Sequence, residues 1–267
     1  MSAAARTEPD AVPESGSPTL EIAGPRATIR LHRPRHHNRI QPEDIPVLLG
    51  LFDRVDADAD LRVMVLTGSG HSFSSGYHLG DLAEPKQGQP KGPSFGDLTD
   101  RLDQVRVPTI CRLNGGVYGG ATDLALTCDF RIGHAGIEMF MPAARIGVHY
   151  YEGGLRRYIS RLGLNTAKRL FLTAEKLDAA ELLRIGYLTE VTTREGLDVA
   201  VDTLAARLAE LAPLAVRGMK QALNEIAAGA LDVPALRARE AVCDASRDLQ
   251  EGLAAFREKR QPRFRGE

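Results

Sequence analysis

The residues best suited to chemistry lie in one glycine-rich stretch, residues 113–129. Gly120 precedes a run of small and apolar residues at helical spacing, which predicts a tight loop that opens into a buried helix. Backbone N–H groups at a helix start have no partner within the helix, and glycine lets a ligand approach them closely. Asp123 follows three residues later, on the same helix face. A donor for a negative oxygen beside a carboxylate is an arrangement that can stabilise an enolate and move its proton.

The same stretch also has a purely structural interpretation. Paired glycines before an apolar helix often serve close packing, and Asp123 could bond a nearby backbone group at the start of a capped core helix. These residues alone leave both interpretations open.

Strands and helices alternate on either side of this stretch. Residues 20–22 and 27–31 alternate in polarity around Gly24-Pro25, which predicts a hairpin. An unbroken apolar run at 63–67 predicts a strand that is buried on both faces, and further strands are predicted at 109–113 and 130–132. Helices are predicted at 42–55 and 99–105, between these strands. The alternation predicts an α/β fold with parallel strand pairing.

The chain beyond residue 167 is rich in alanine and leucine, and its pattern predicts helices without further strands. The predicted helices are 166–172, 179–185, 196–210, 213–228 and 233–245. Two other segments have no apolar period. Residues 1–18 are predicted to be a disordered tail. Residues 81–96 are predicted to be a surface loop, either a lid or a plain connection.

Composition limits the class of protein. The chain has 267 residues, of which 43% are hydrophobic and 26% charged, enough for a large globular core. The net charge of -1 and the lack of a Lys/Arg block argue against nucleic acid or an anionic membrane as partner. No apolar run reaches the roughly 18 residues of a membrane span. Three widely spaced cysteines predict reduced thiols and a cytoplasmic location, and the histidines give no metal-site signal.

Four separated segments together resemble the crotonase (enoyl-CoA hydratase/isomerase) superfamily. They are Arg33-Pro34 with Asn38, residues 72–77, residues 114–129, and the closing segment from Asp248 to Arg260. The resemblance covers about residues 20–264. It implies an α/β crotonase-like spiral of ββα units over residues 19–205, followed by a helical C-terminal trimerisation region over 206–267. It also implies an acyl-CoA thioester substrate, a homo-trimer or dimer of trimers, and no cofactor apart from the coenzyme A of the substrate.

The resemblance assigns roles to individual residues. The backbone N–H groups of Tyr77 and Gly120 match the two positions that form the family's oxyanion hole. Substrate or CoA contacts are implied for Arg33, Asn38, Ser75, Gly76, His78, Gly119, Phe256 and Lys259. Lys259 also has a simpler interpretation as part of a solvated basic face.

The carboxylates depart from the hydratase pattern of two glutamates. Asp123 takes the first position, and Ala143, after Pro142, takes the second. Related dienoyl-CoA isomerases carry a further acid close to where Glu152 falls, so Glu152 is the candidate second catalytic acid. Glu152 could equally be a carboxylate that stabilises a helix start. His149 has a suitable pKa for acid–base work, although histidines of this kind are more often structural.

We therefore expect an enoyl-CoA hydratase that acts through a thioester enolate, with Asp123 as its base and Glu152, or a tyrosine beside it, as the group for a second proton transfer. The alternatives are an enoyl- or dienoyl-CoA double-bond isomerase, another enolate reaction such as thioester hydrolysis or decarboxylation, or an acyl-CoA-binding protein that has lost activity. Ala143 favours the last alternative, and Asp123 argues against it.

Overall fold

A computed structural model describes residues 16–78 and 92–267. The predicted disordered tail falls almost entirely outside the described residues, and so does the larger part of the predicted loop at 81–96. Among the described residues, no helix combines the length and apolar character needed to cross a membrane. The same residues contain no cluster of histidine, cysteine and carboxylate side chains suited to a metal ion.

The larger sheet has six strands, in the order β1-β2-β3-β5-β7-β10. They are β1 Thr19–Ala23, β2 Arg26–Leu31, β3 Val63–Gly68, β5 Thr109–Leu113, β7 Phe130–His134 and β10 Glu190–Thr192. β1 and β2 form an antiparallel hairpin, and every other pair is parallel. All six residues of β3 are buried. The predicted hairpin, the buried strand and the parallel pairing are confirmed.

A second sheet contains four short strands, in the order β4-β6-β8-β9. They are β4 Ser72–Ser74, β6 Gly116–Tyr118, β8 Glu138–Phe140 and β9 Lys176–Asp178. The prediction of continuous helices after residue 167 was wrong, because β9 and β10 lie in that region. A strand of three residues is too short to display an alternating pattern, so neither was visible in the sequence.

Ten α-helices connect and cover the strands in the described part of the chain. They are α1 Asp44–Ala57, α2 Phe95–Asp103, α3 Ala121–Thr127, α4 Glu152–Leu162, α5 Leu164–Lys168, α6 Ala179–Arg184, α7 Leu197–Ala209, α8 Pro213–Ala228, α9 Val233–Asp244 and α10 Arg247–Glu258. α2 begins four residues before its predicted start because Ser94 caps it. The Ser94 hydroxyl accepts from the Asp97 N–H, and the Asp97 carboxylate accepts from the Ser94 N–H.

Three successive units repeat one plan: a strand of the large sheet, a short strand of the second sheet, and a helix. The units are β3-β4-α2, β5-β6-α3 and β7-β8-α4. The predicted spiral of ββα units is thus confirmed. Because β4 and β6 are hydrogen-bonded neighbours, the loops that follow them lie side by side, and α3 starts at this point with all seven residues buried.

The two faces of the large sheet are covered by different elements. The main core includes residues of β2, α1, α2 and α3, whereas Val63, Val65, Ile110 and Ile132 pack against α7 on the other side. The predicted domain boundary at 205/206 falls inside α7. Ala205 and Leu208 both belong to the cluster on the sheet, so α7 contacts the sheet on either side of the predicted boundary, which stays a prediction.

Candidate active site

Two glycine loops bring the predicted oxyanion-hole residues together. Gly76 has a φ of +82°, and a Cβ built there would lie 2.6 Å from the Gly120 nitrogen. A Cβ on Gly120 would lie 3.5 Å from the Tyr77 nitrogen. Only glycine at position 76 therefore allows the two backbones to approach this closely. The Gly120 N–H donates to no acceptor within the described residues.

The peptide groups on either side of Tyr77 hold the first loop in place. The Ile40 N–H donates to the Gly76 carbonyl at 2.8 Å, and the His78 N–H donates to the Ile40 carbonyl at 3.0 Å. These two bonds form a bridge between Ile40 and Tyr77 and fix the direction of the Tyr77 peptide.

A cavity with a volume of about 360 Å³ opens beside the two loops. Its described wall is mostly apolar and aromatic and contains no Asp, Glu, Lys or Arg. The lining residues are Ser75, Tyr77, Ser94, Phe95, Gly96, Gly119, Gly120, Met141, Pro142, Ala143, Ile146, Val148, His149, Tyr150 and Tyr151. An apolar cavity next to backbone donors is typical of a small-molecule site.

Asp123 lies behind this wall and has no exposed surface. One carboxylate oxygen, Oδ1, accepts from Arg157 Nε at 3.1 Å. The other, Oδ2, accepts from Arg157 Nη2 at 2.7 Å and from the Tyr151 hydroxyl at 2.5 Å. The Arg157 guanidinium therefore bonds both carboxylate oxygens, and the Tyr151 hydroxyl bonds one of them. Asp123 is not among the residues that line the cavity.

Arg157 also forms hydrogen bonds with two residues of α2. Its guanidinium donates to the Asp100 carboxylate at 2.7 Å and to the Thr99 hydroxyl at 2.6 Å. Burial alone would lower the pKa of Arg157, but the hydrogen bonds and charge of Asp123 raise it above its ordinary value. The guanidinium therefore stays charged and ties together α2, α3 and α4.

Tyr151 is the residue that connects this buried network with the cavity. It precedes the first turn of α4, lines the cavity and donates to Asp123. Its ring stacks on Tyr150 with centroids 4.6 Å apart, and its edge contacts Phe95. Burial, together with the charge of Asp123, raises the pKa of Tyr151 well above its ordinary value, so its phenol remains protonated at neutral pH.

Of the other candidates for proton transfer, His149 lines the cavity and Glu152 does not. Ala143 lines the cavity and carries no proton-transfer group. Glu152 does not line it: its side chain is 79% exposed and pairs with Arg156, one helical turn along α4. This is the helix-start arrangement given above as the alternative for Glu152. His149 lines the cavity, and its Nδ1 lies 2.7 Å from the Tyr150 carbonyl oxygen.

Some of the residues predicted to contact the substrate or CoA line the cavity, and others do not. Ser75 and Gly119 line the cavity. Asn38 does not: it is 1% exposed, its amide nitrogen donates to the Ser69 and Ser72 carbonyls, and its oxygen accepts from the Arg33 N–H. All of these bonds serve to join neighbouring loops, so the side chain is not available to a ligand in this arrangement.

Four further contact candidates do not line the cavity. The Arg33 guanidinium forms a forked pair with Asp44, at 3.0 and 2.9 Å. Phe256 is 85% exposed on α10, and Lys259 is exposed just after that helix. His78 lies at the end of the first loop, at the limit of the described residues.

Two residues of the site were missed or given a minor role by sequence reasoning. Sequence reasoning offered a tyrosine beside Glu152 only as an alternative to Glu152, and it gave Arg157 no role. Their spacing of six residues along α4 gives no sequence signal, because their common partner Asp123 is about thirty positions earlier in the chain.

Comparison with known proteins gives consistent matches over almost the whole chain. The family model for enoyl-CoA hydratase/isomerase matches residues 23–267. The chain is 30% identical to crotonyl-CoA hydratase of Syntrophomonas wolfei, with 92% of this chain and 96% of the relative covered. It is 28% identical to short-chain-enoyl-CoA hydratase of Clostridium acetobutylicum, with 91% and 95% covered. The crystal structure of enoyl-CoA hydratase from Bacillus anthracis superposes with a TM-score of 0.83 at 26% identity, covering 94% of this chain and all of that one.

Proposed function

The chain belongs to the enoyl-CoA hydratase/isomerase family, and from this premise we propose that it hydrates enoyl-CoA thioesters through an enolate held by the amides of Tyr77 and Gly120. The observation that carries the proposal is the contact between the two glycine loops at the edge of an apolar cavity. A thioester carbonyl placed between the loops would have backbone donors on its oxygen and its acyl chain in the cavity.

The physical reason is the charge that develops during the reaction. Addition of water to the β-carbon of an enoyl thioester moves an electron pair onto the thioester oxygen. Preorganised N–H donors at that oxygen stabilise the negative charge, and removal of one such donor typically costs about 10² to 10³ in rate. Gly76 is what lets the two donors stand on the same side of the cavity.

The cavity wall also limits the acyl group. Its described residues include no Lys or Arg that could pair with a carboxylate on the acyl chain. Burial of an unpaired carboxylate is costly. We therefore propose an uncharged acyl chain, and expect crotonyl-CoA to react faster than an enoyl-CoA whose acyl chain ends in a carboxylate.

Binding provides the direct test of the oxyanion hole. Acetoacetyl-CoA can form an enolate that resembles the reaction intermediate, so calorimetric titration should give clearly tighter binding for it than for free CoA. Equal affinity for the two ligands, or no binding of either, would contradict the proposal.

Double-bond isomerisation is the second candidate, and Ala143 is the observation that favours it. Hydration needs a proton removed from water and a proton delivered to the α-carbon, whereas isomerisation can use one group for both transfers. The cavity has an alanine at the position where the hydratase pattern supplies a second carboxyl group. Assays with crotonyl-CoA, a 3-enoyl-CoA and a dienoyl-CoA distinguish hydration from isomerisation, and binding without turnover of any of them would indicate a lapsed enzyme.

Assembly as a trimer or a dimer of trimers belongs to the same proposal. The C-terminal helices expose several apolar side chains, which are Met219, Leu223 and Ile226 on α8 and Leu249, Leu253 and Phe256 on α10. Apolar surface of this extent favours a protein interface. Light scattering should give three or six times the mass of one chain, and a monomer at micromolar concentration would contradict it. The cytoplasmic location and the absence of a separate cofactor stay predictions.

A further inference from the structure

We infer that Asp123 does not meet the substrate directly and that Tyr151 transfers protons between the acyl cavity and Asp123. The inference rests on the proposed function, because it names the group that carries the proton in that reaction. It changes the predicted role of Asp123 from a base in contact with substrate to the inner end of a relay.

The first step is the accessibility of the two groups. Asp123 has no exposed surface and is absent from the cavity wall, while Tyr151 forms part of that wall. Among the described residues, Tyr151 is the one lining residue whose side chain bonds the Asp123 carboxylate, so its hydroxyl offers the direct path for a proton between the cavity and Asp123. The distance of 2.5 Å between the phenol oxygen and Oδ2 is short enough for that transfer.

The second step is the direction of the hydrogen bond. Asp123 is held by two Arg157 donors and accepts the phenol hydrogen, so the Tyr151 hydrogen points inward. The lone pairs of the phenol oxygen are then left to accept hydrogen bonds. The Thr99 hydroxyl lies 3.3 Å away, and its one hydrogen is shared with the Gly96 carbonyl at 3.0 Å. Since Tyr151 lines the cavity, a water beside it could donate to the remaining acceptor position.

The third step is the balance of the reaction. The phenol oxygen accepts a proton from water as its own proton passes to Asp123, and the water oxygen forms a C–O bond to the β-carbon. The π pair of the C=C bond moves to the thioester oxygen, where the Tyr77 and Gly120 amides hold it. The proton then returns from Asp123 through Tyr151 to the α-carbon, and the enolate pair forms the C–H bond. One water is added, and every protein group ends as it began.

The two transfers at the phenol must be coupled. Burial and the neighbouring Asp123 charge disfavour a free phenolate at Tyr151, as the raised pKa of this group also indicates. Arrival of one proton together with departure of the other avoids that species. Arg157, anchored by Asp100 and Thr99, is a positioning residue that holds the carboxylate in line with the phenol.

The test compares three single substitutions in the full-length protein. Tyr151→Phe keeps the ring and removes the relay. Tyr158→Phe is the matched control, because it removes a buried phenol on the same helix that bonds Thr122 and does not line the cavity. Glu152→Gln changes the exposed carboxylate that sequence reasoning favoured. Circular dichroism checks folding, and acetoacetyl-CoA titration checks the oxyanion hole.

We expect Tyr151→Phe to lower kcat for crotonyl-CoA by about 10² or more, as for loss of a general acid–base group. Its acetoacetyl-CoA affinity should stay near that of the parent, and the other two variants should keep most of the parent's kcat. Turnover in Tyr151→Phe equal to that in Tyr158→Phe would overturn the relay and leave the proposed function intact. A parent protein that neither binds acetoacetyl-CoA nor turns over an enoyl-CoA would overturn both.

A measurement on the parent protein covers the case in which Tyr151→Phe does not fold. The relay has at least two protons in motion when water adds, so kcat in mixtures of H₂O and D₂O should depend on the deuterium fraction along a curve. A linear dependence, which indicates one transferred proton, would overturn the relay.

Discussion

Replacement of Arg157 by methionine tests whether the buried ion pair is the structural support of the site. The substitution keeps an unbranched apolar stem and removes the only side-chain cation bonded to Asp123 among the described residues. Two unit charges 2.7 Å apart attract by about 6 kcal/mol at an effective dielectric constant of about 20. Part of this attraction offsets the desolvation of both groups, and loss of one partner of a buried pair typically costs about 3–5 kcal/mol. We expect Arg157→Met to lower the free energy of unfolding by that amount.

The matched control is one residue away on the same helix. Arg156 pairs with Glu152 across an exposed surface, where the side chains are 66% and 79% exposed, so Arg156→Met should cost about 0–1 kcal/mol. Asp123→Asn should be milder than Arg157→Met, because Arg157 keeps Asp100 and Thr99 as partners. Urea unfolding followed by circular dichroism measures all three values. If Arg157→Met and Arg156→Met cost the same, the buried network is not a source of stability, and the reasoning fails.

Three further predictions concern the loops and the C-terminus. Gly76→Ala should abolish acetoacetyl-CoA binding in calorimetry, since its Cβ would meet the neighbouring loop backbone, whereas Gly186→Ala, also at positive φ but in open space, should leave binding intact. Ala143→Glu should raise crotonyl-CoA hydration relative to 3-enoyl-CoA isomerisation in parallel assays, and no change in the ratio would contradict a limiting role of the missing acid. Hydrogen bonds from Arg260 and the Arg263 N–H lower the pKa of Glu251 from 4.5 to about 2. This contribution to stability is full above pH 4.5 and is lost as the pH falls toward 2. The protection of the Arg263 amide, which is its exchange rate compared with the intrinsic rate at the same pH, should therefore fall over that range and stay constant between pH 5 and 7.

The sequence was a good guide where the pattern was long or local. The strand at Val63–Gly68 was visible because six consecutive residues are buried in a parallel sheet, and α8 was predicted with its exact ends because Pro213 starts it and Gly229 follows it. The second sheet was not visible. Its strands have three residues each and are defined by pairing with distant segments, such as Met139 with Leu177, which no local pattern records.

The candidate site shows the same difference between local patterns and contacts with distant segments. The predicted oxyanion-hole positions were taken from the family resemblance, and the structure brings their two loops into contact at Gly76 and Gly120. The partners of Asp123 could not be located, because Arg157 and Tyr151 reach it across the interface between α3 and α4. A sequence assigns a carboxylate to a position, but only the packing of the helices decides whether it faces the substrate or a guanidinium.

The loss of a carboxyl group at Ala143 and the burial of Asp123 have a common chemical consequence. A cavity wall without a carboxylate is less polar, which suits an uncharged acyl chain, but it has no ionised base in contact with water. A phenol can supply the contact without placing a charge in the wall, provided that a carboxylate behind it shares the proton. Tyr151 has such a carboxylate in Asp123, and Arg157 keeps that carboxylate in place. Tyr151 therefore takes part in both properties, because it belongs to the wall that contacts the acyl chain and bonds the carboxylate that shares its proton.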